Sequence, residues 1–131
     1  MAVLTTQLDR DAEEFARRRE GMEELVAELR ERRIPLEVCP TINVVTRVFE
    51  TWEEHPLRRL LQEGLVVTLN ADVPGMTGTS VLGEYELARR VFGFDDDTLA
   101  RIAKAGARAA FLDEAFRASL ERDIDRWLAT R

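Results

Sequence analysis

The stretch that decides the fold is residues 65–79, which reads L-V-V-T-L-N-A-D-V-P-G-M-T-G-T. Its first five residues are apolar or β-branched, and they predict a short buried strand over 65–69. Asp72 follows this strand closely, and the proline and glycines of 74–78 predict a loop after it. A carboxylate placed just beyond a buried parallel strand is how a (β/α) barrel presents an active-site group at its rim.

A second short strand is predicted over 36–39, where apolar residues lie between Pro35 and Pro40. A leucine-rich helical pattern over 57–64 separates the two strands, and three further helical patterns follow residue 79. We expect the first to open at Thr79 or Ser80 and to close at Gly93, the second to be capped by residues 95–98, and the last to open at Asp113. Strands that alternate with helices favour parallel pairing through helical crossovers. The predicted fold class is therefore α/β: a partial (β/α) barrel with two adjacent parallel strands and flanking helices.

Length and composition limit what the chain can be. A complete (β/α) barrel needs about 250 residues, whereas this chain has 131, with a net charge of −6. We expect a single soluble domain that binds neither nucleic acid nor membrane, because no broad basic patch and no membrane-length apolar run is visible. The single cysteine, Cys39, suits a reducing cytoplasm. Since the chain begins with Met1, we expect a complete product.

The first and last helices carry apolar stripes that predict core packing. An N-terminal helix, which Thr6 could cap, is expected to run to about Arg33 and to bend or break at Gly21. Its stripe comprises Met22, Leu25, Val26 and Leu29. The stripe of the last helix comprises Phe116, Leu120, Ile124, Trp127 and Leu128. Two other local patterns concern the middle of the chain: residues 43–48 suggest loop or extended chain, and Thr51-x-x-Glu54 has the form of a capping box.

Arginines cluster at 17–19 and again at Arg30, Arg32 and Arg33. Glutamates surround both clusters, so a solvated helix face with i,i+4 ion pairs is the simpler interpretation. An anion site is the alternative. The carboxylate run at 95–97 is explained by helix capping and the helix dipole.

Three segments together resemble the C-terminal part of the adenosine deaminase family. They are I-P-L-E-V-C-P-T-I-N at 34–43, H-P-L-R-R-L-L-Q-E-G at 55–64, and L-N-A-D-V-P-G-M-T-G-T at 69–79, with Glu84-Tyr85 beyond. The resemblance covers about residues 24–111 and implies the last two strands of the family's barrel. It leaves a divergent helical segment at 1–34 and a C-terminal helix at 112–131 within one domain.

The resemblance also implies a chemistry. The family removes an amino group from adenosine or a related purine, using a zinc-bound water as the nucleophile. Its zinc ligands are a His-x-His pair, a third His and an Asp. Asp72 matches the ligand Asp, and it is the only one of these residues present. His55, the sole histidine, matches a helix-start position away from the metal, and we interpret it as structural.

Polar positions of the family are apolar here. Val73 stands where the family has a second Asp that contacts the purine, Ile42 where it usually has Ser, and Ala105 lies near a usual Asn. We therefore expect no deaminase activity from the isolated chain, no catalytic residues, no confident substrate-binding residue and no bound cofactor. Asp72 is then a vestigial zinc-ligand position.

Two functions from different classes remain open. One is an interaction module that forms a homodimer or associates with another barrel fragment or deaminase chain. Two strands would leave an inner face, lined by residues such as Val38, Val67 and Leu69, costly to leave in water; the last helix folding over it is the alternative. The other function is half of a split purine deaminase, completed by a second chain that supplies the missing zinc ligands.

Overall fold

The computed structural model describes Asp9 and residues 11–131, so the predicted Thr6 cap lies outside the described residues. The fold is a helix-rich α/β arrangement built on two strands. The helices are α1 Glu13–Glu31, α2 Pro40–Val45, α3 Leu57–Gln62, α4 Pro74–Thr77, α5 Val81–Phe92, α6 Asp96–Ala109 and α7 Glu114–Leu128. The strands are β1 Pro35–Val38 and β2 Val66–Leu69. Among the described helices, none combines the length and apolarity that crossing a bilayer requires.

The two strands pair in parallel, as predicted. Leu36 lies opposite Val67, and Val38 lies opposite Leu69. The backbone N–H of Asn70 donates to the carbonyl of Val38 across 3.0 Å, which carries the ladder one step beyond β2. The register therefore brings the residues that follow both strands to the same edge of the sheet.

One face of this strand pair is covered by the chain's own helices. Val38, Val67 and Leu69 are buried in a core cluster with residues of α3, α5 and α6. Because side chains alternate across a strand, Glu37 and Thr68 point to the opposite face. The expectation that Val38, Val67 and Leu69 line an open inner face is therefore wrong, since helices cover these residues. On the opposite face Glu37 is exposed, whereas Thr68 is only 5% exposed.

Local signals placed most helix ends correctly. Ser80, Asp95 and Asp113 each accept a hydrogen bond from the backbone N–H three residues on, at 2.9 to 3.1 Å, and cap α5, α6 and α7. Gly93 ends α5 with a φ of +61°, a conformation that glycine adopts without steric cost.

The N-terminal helix departs from its predicted role. It is continuous through Gly21, and none of its residues is buried. Met22 and Leu25, expected in the core, are 60% and 54% exposed. An ion pair of 3.0 Å between Arg30 and Glu63 links α1 to the end of α3. Met22 and Val26 border a cleft beside Leu60 of α3, and Val26 and Leu29 are only half-buried. The predicted core packing of this stripe is therefore wrong.

Two short segments between the strands also differ from expectation. Residues 40–45 form helix α2, where loop or extended chain was predicted over 43–48. The predicted capping box does not cap a helix: Glu54 accepts from the backbone N–H of Glu50 instead, and α3 begins at Leu57, after Pro56.

The last helix packs on α6 and does not cover the inner face of the strands. Ion pairs join Lys104 to Asp125 and Arg108 to Glu121 across the two helices. The apolar stripe of α7 borders an open groove of about 910 Å³ shared with α5 and α6. The proposed cover by α7 is therefore wrong.

Candidate functional site

The carboxyl ends of β1 and β2 form a rim that carries the residues singled out from the sequence. Asp72 lies three residues beyond Leu69 and is exposed. The amide of Asn70 donates to the hydroxyl of Thr68 at 3.0 Å, which places Asn70 on the polar face of the strands. The rim therefore continues a polar surface that begins with Glu37 and Thr68.

Cys39 lies beside Asp72 on this rim. The two residues are close enough for the charge of Asp72 to act on the Cys39 thiol. Burial raises the pKa of the Cys39 thiol, and the negative charges of Glu37, Asp72 and Glu84 raise it further. The thiol form is therefore favoured at neutral pH, which disfavours Cys39 both as a nucleophile and as a metal ligand.

Glu84 is the buried acid of the rim. Its side chain is fully buried on α5, and Oε2 accepts a hydrogen bond of 3.3 Å from the backbone N–H of Thr41. The other carboxylate oxygen has no hydrogen-bond partner among the described residues. Glu84 thus joins α5 to the first turn of α2, across the ends of the strands.

His55 lies in an aromatic pocket. It is 4% exposed, and its ring contacts Phe49 at 5.0 Å and Phe92 at 6.1 Å between centroids. Nδ1 accepts from the backbone N–H of Leu57 at 3.2 Å, so the proton of the neutral ring is on Nε2. Nε2 lies 3.0 Å from Nδ2 of the Asn43 carboxamide. A proton on Nε2 requires this carboxamide to be turned so that its oxygen faces the ring and accepts. These contacts support a structural role.

Two of the three positions that differ from the family resemblance lie at this rim, whereas Ala105 on α6 borders a cleft beside the first residues of the strands. Ile42 on α2 and Val73 at the N-terminus of α4 are both half-buried, and α2 contacts α4. Val45, Val48 and Met76 in this region are 56%, 62% and 78% exposed. We call these five residues the apolar rim. An apolar surface of this kind marks an interaction site more often than a polar catalytic one.

The rim does not fit a zinc ion. Catalytic zinc takes three protein ligands and an open position. Among the described residues, no group of three or more His, Cys, Asp or Glu side chains is arranged to hold a metal. Asp72 has the Cys39 thiol for a neighbour, and the one histidine is engaged with Asn43 and Leu57.

Sequence reasoning missed the burial of Glu84, which it treated only as part of a family pattern. The available signal was its place in α5. Glu84 is one turn before Ala88 and two turns before Phe92, on the buried side of an amphipathic helix. An acid on that side must find a partner, and the N–H of Thr41 supplies it.

Comparisons with known proteins identify the family of the chain. The adenosine deaminase family model matches residues 7–127. An aminodeoxyfutalosine deaminase of Streptomyces coelicolor is 47% identical over 105 residues, which cover 80% of this chain and 27% of that protein. An adenine deaminase of Rhizobium meliloti is 44% identical over 97 residues, covering 74% of this chain and 30% of that protein.

The fold is similar as well. The crystal structure of adenine deaminase from Arthrobacter aurescens superposes with a TM-score of 0.80 at 32% sequence identity, covering 83% of this chain and 34% of that chain. The chain thus spans about a third or less of the length of these relatives. On the match of the family model across nearly all of the sequence, the chain belongs to the adenosine deaminase family.

Proposed function

We propose that this chain is a section of a (β/α) deaminase barrel, holding the last two strands, that has no catalytic activity alone and acts by binding another chain. The observation that carries this proposal is the donor set at the rim. By the family resemblance Asp72 matches the zinc-ligand Asp, while the described residues contain no group of three metal-binding side chains. A carboxylate alone holds zinc weakly.

The two faces of the strand pair support a barrel section. Helices cover the apolar face with Val67 and Leu69, whereas Glu37, Thr68 and Asn70 lie on the other face. A (β/α) barrel likewise has helices on the outer face of its strands and reacting groups at the carboxyl ends of the strands. Because Glu37 and Asn70 are polar, burying this face would contribute little free energy to association. Another surface must contribute it.

The apolar rim contributes the free energy of association. Ile42 and Val73 replace polar groups of the family pattern, and Val48 and Met76 beside them are exposed. Removing such a surface from water is worth about 25 cal/mol per Å². We propose a homodimer as the simplest assembly, with another barrel fragment or a deaminase chain as the alternative partner.

A split zinc-dependent purine deaminase is the second candidate. The exposed side chains of Glu37 and Asp72 favour it. In a split enzyme they would lie next to the strands and zinc ligands that a partner chain contributes. Val73 and Ile42 count against it, since the purine contacts of the family would still be missing.

One experiment separates the two. The chain is purified alone and after co-expression with a full-length deaminase of the family, and mass and zinc content are measured for each sample. A binding module gives an assembly in which zinc does not exceed that of the full-length partner. A split enzyme gives additional zinc that is lost with Asp72→Ala. A monomer that captures neither partner nor zinc contradicts both proposals.

A further inference from the structure

A basic cleft lies at the end of the strands opposite the rim. It encloses about 530 Å³, and its walls include Leu61, Val66 and Ile102. Four cationic residues line it: Arg33, Arg101, Lys104 and Arg108. The chain as a whole carries a net charge of −6. A local cluster of four cations is therefore not expected from the composition.

Two of these four cations are neutralised by α7 and two are not. Lys104 pairs with Asp125, and Arg108 holds Glu121 with two hydrogen bonds of 2.9 and 2.8 Å. Among the described residues, Arg33 and Arg101 have no carboxylate within ion-pairing distance. The residues outside the description at 1–8 and 10 contain no Asp or Glu that could supply one. Arg101 donates to the Thr98 hydroxyl at 3.5 Å and its charge acts on Asp95 at longer range. The cleft therefore has two cations that no ion pair neutralises.

The backbone of Arg33 makes this residue suitable for a test. Arg33 follows the last helical turn of α1 with a φ of +54°, in the left-handed region. The next residue closes the helix end, because the backbone N–H of Ile34 donates to the carbonyl of Leu29 at 3.1 Å. Glycine adopts this conformation without steric cost, so the Arg33 side chain can be removed while the backbone is kept.

We propose that this cleft binds a small phosphorylated molecule, with its phosphate or pyrophosphate group held between Arg33 and Arg101. Guanidinium groups bind phosphate oxygens in a two-pronged geometry that lysine lacks. The walls formed by Leu61 and Val66 take the apolar remainder of the ligand. The cleft is distinct from the rim, because it lies beside Pro35 and Val66, the first residues of the strands.

Pyrophosphate is the probe that tests the proposal. Binding is measured by calorimetry and by thermal unfolding in 50 mM salt, with potassium chloride of equal ionic strength as the blank. Arg33→Gly is the informative variant, since glycine suits the φ of +54° and the variant should fold. Its affinity for pyrophosphate should fall about tenfold, the usual loss of one charged hydrogen-bonding partner.

The chain offers a matched control. Arg47 is an exposed arginine with a φ of +58° that does not line the cleft. Arg47→Gly relieves the same backbone strain and removes the same charge, and it should leave the affinity unchanged. Arg101→Gln, which keeps the helical backbone of α6, should weaken binding like Arg33→Gly. No binding to the native chain at millimolar pyrophosphate, or equal losses in Arg33→Gly and Arg47→Gly, would overturn the proposal.

Discussion

Glu84 and Thr41 are joined by a hydrogen bond of 3.3 Å, from the backbone N–H of Thr41 to Oε2 of the buried carboxylate. The two residues are 43 positions apart in the chain, and they link α5 to the start of α2. Because α2 begins two residues after β1, the chain itself brings Ile42 to the carboxyl ends of the strands. The contact with Thr41 then ties α5 to α2, so Glu84 helps to hold the geometry of the rim.

Glu84→Ala should lower the free energy of unfolding by about 2 kcal/mol, because it leaves the Thr41 N–H without a partner and opens a cavity. Glu84→Gln should cost less, since an amide oxygen can still accept from Thr41. Urea unfolding measures both. Glu86→Ala on the exposed side of α5 is the control and should change stability by less than about 0.5 kcal/mol. Equal losses at 84 and 86 would contradict the role assigned to Glu84.

The features that sequence predicted are those set by neighbours in the chain. The caps at Ser80, Asp95 and Asp113 depend on a side chain and an N–H three residues apart, and all three formed. The parallel pairing of β1 and β2 followed from their separation by a helix.

The features that sequence did not predict depend on distant parts of the fold. The stripe of Met22 and Leu25 indicated burial, but no other element of the described chain covers it. Val67 and Leu69 were assigned to an open face because periodicity shows that a strand has two faces, without showing which one the helices cover. The buried Glu84 required knowledge of Thr41, which is remote in sequence.

Stability should fall as the pH drops below neutral, through His55. Burial lowers the pKa of its imidazole below the ordinary value of about 6.5. Because the unfolded chain then binds a proton that the folded chain does not, stability is complete above that value. It is lost, by at most about 1.4 kcal/mol per pH unit, as the pH falls toward the folded pKa.

His55→Asn is the variant that tests this pH dependence. An asparagine oxygen can accept from the Leu57 N–H, two residues on, as Nδ1 does. The variant should be less stable at pH 7 because the ring's contacts with Phe49 and Phe92 are lost. The slope of stability between pH 7 and pH 5 should be shallower. An unchanged slope would assign the pH dependence to other groups.

The isolated chain should neither deaminate adenosine, adenine or aminofutalosine-type purines nor retain zinc. The reason is that Asp72 has no set of partner ligands among the described residues. Ammonia release is compared with a heat-killed sample, and metal content is measured after dialysis against a mild chelator. Activity that Asp72→Ala abolishes, or close to one zinc per chain, would refute the expectation.

Val73→Asp should weaken self-association through the apolar rim. An unpaired carboxylate buried at an interface costs several kcal/mol. The substitution should not harm the fold of the monomer, because Val73 occupies the N-cap position of α4, where Asp is favoured. Leu25→Asp, at an exposed position on α1 away from the rim, is the control and should leave association unchanged. Sedimentation velocity at micromolar concentration should show a dimer for the native chain and for Leu25→Asp, and a shift toward monomer for Val73→Asp. A native chain that sediments as a monomer excludes the homodimer, and a loss of association in Leu25→Asp alone would move the interface to α1.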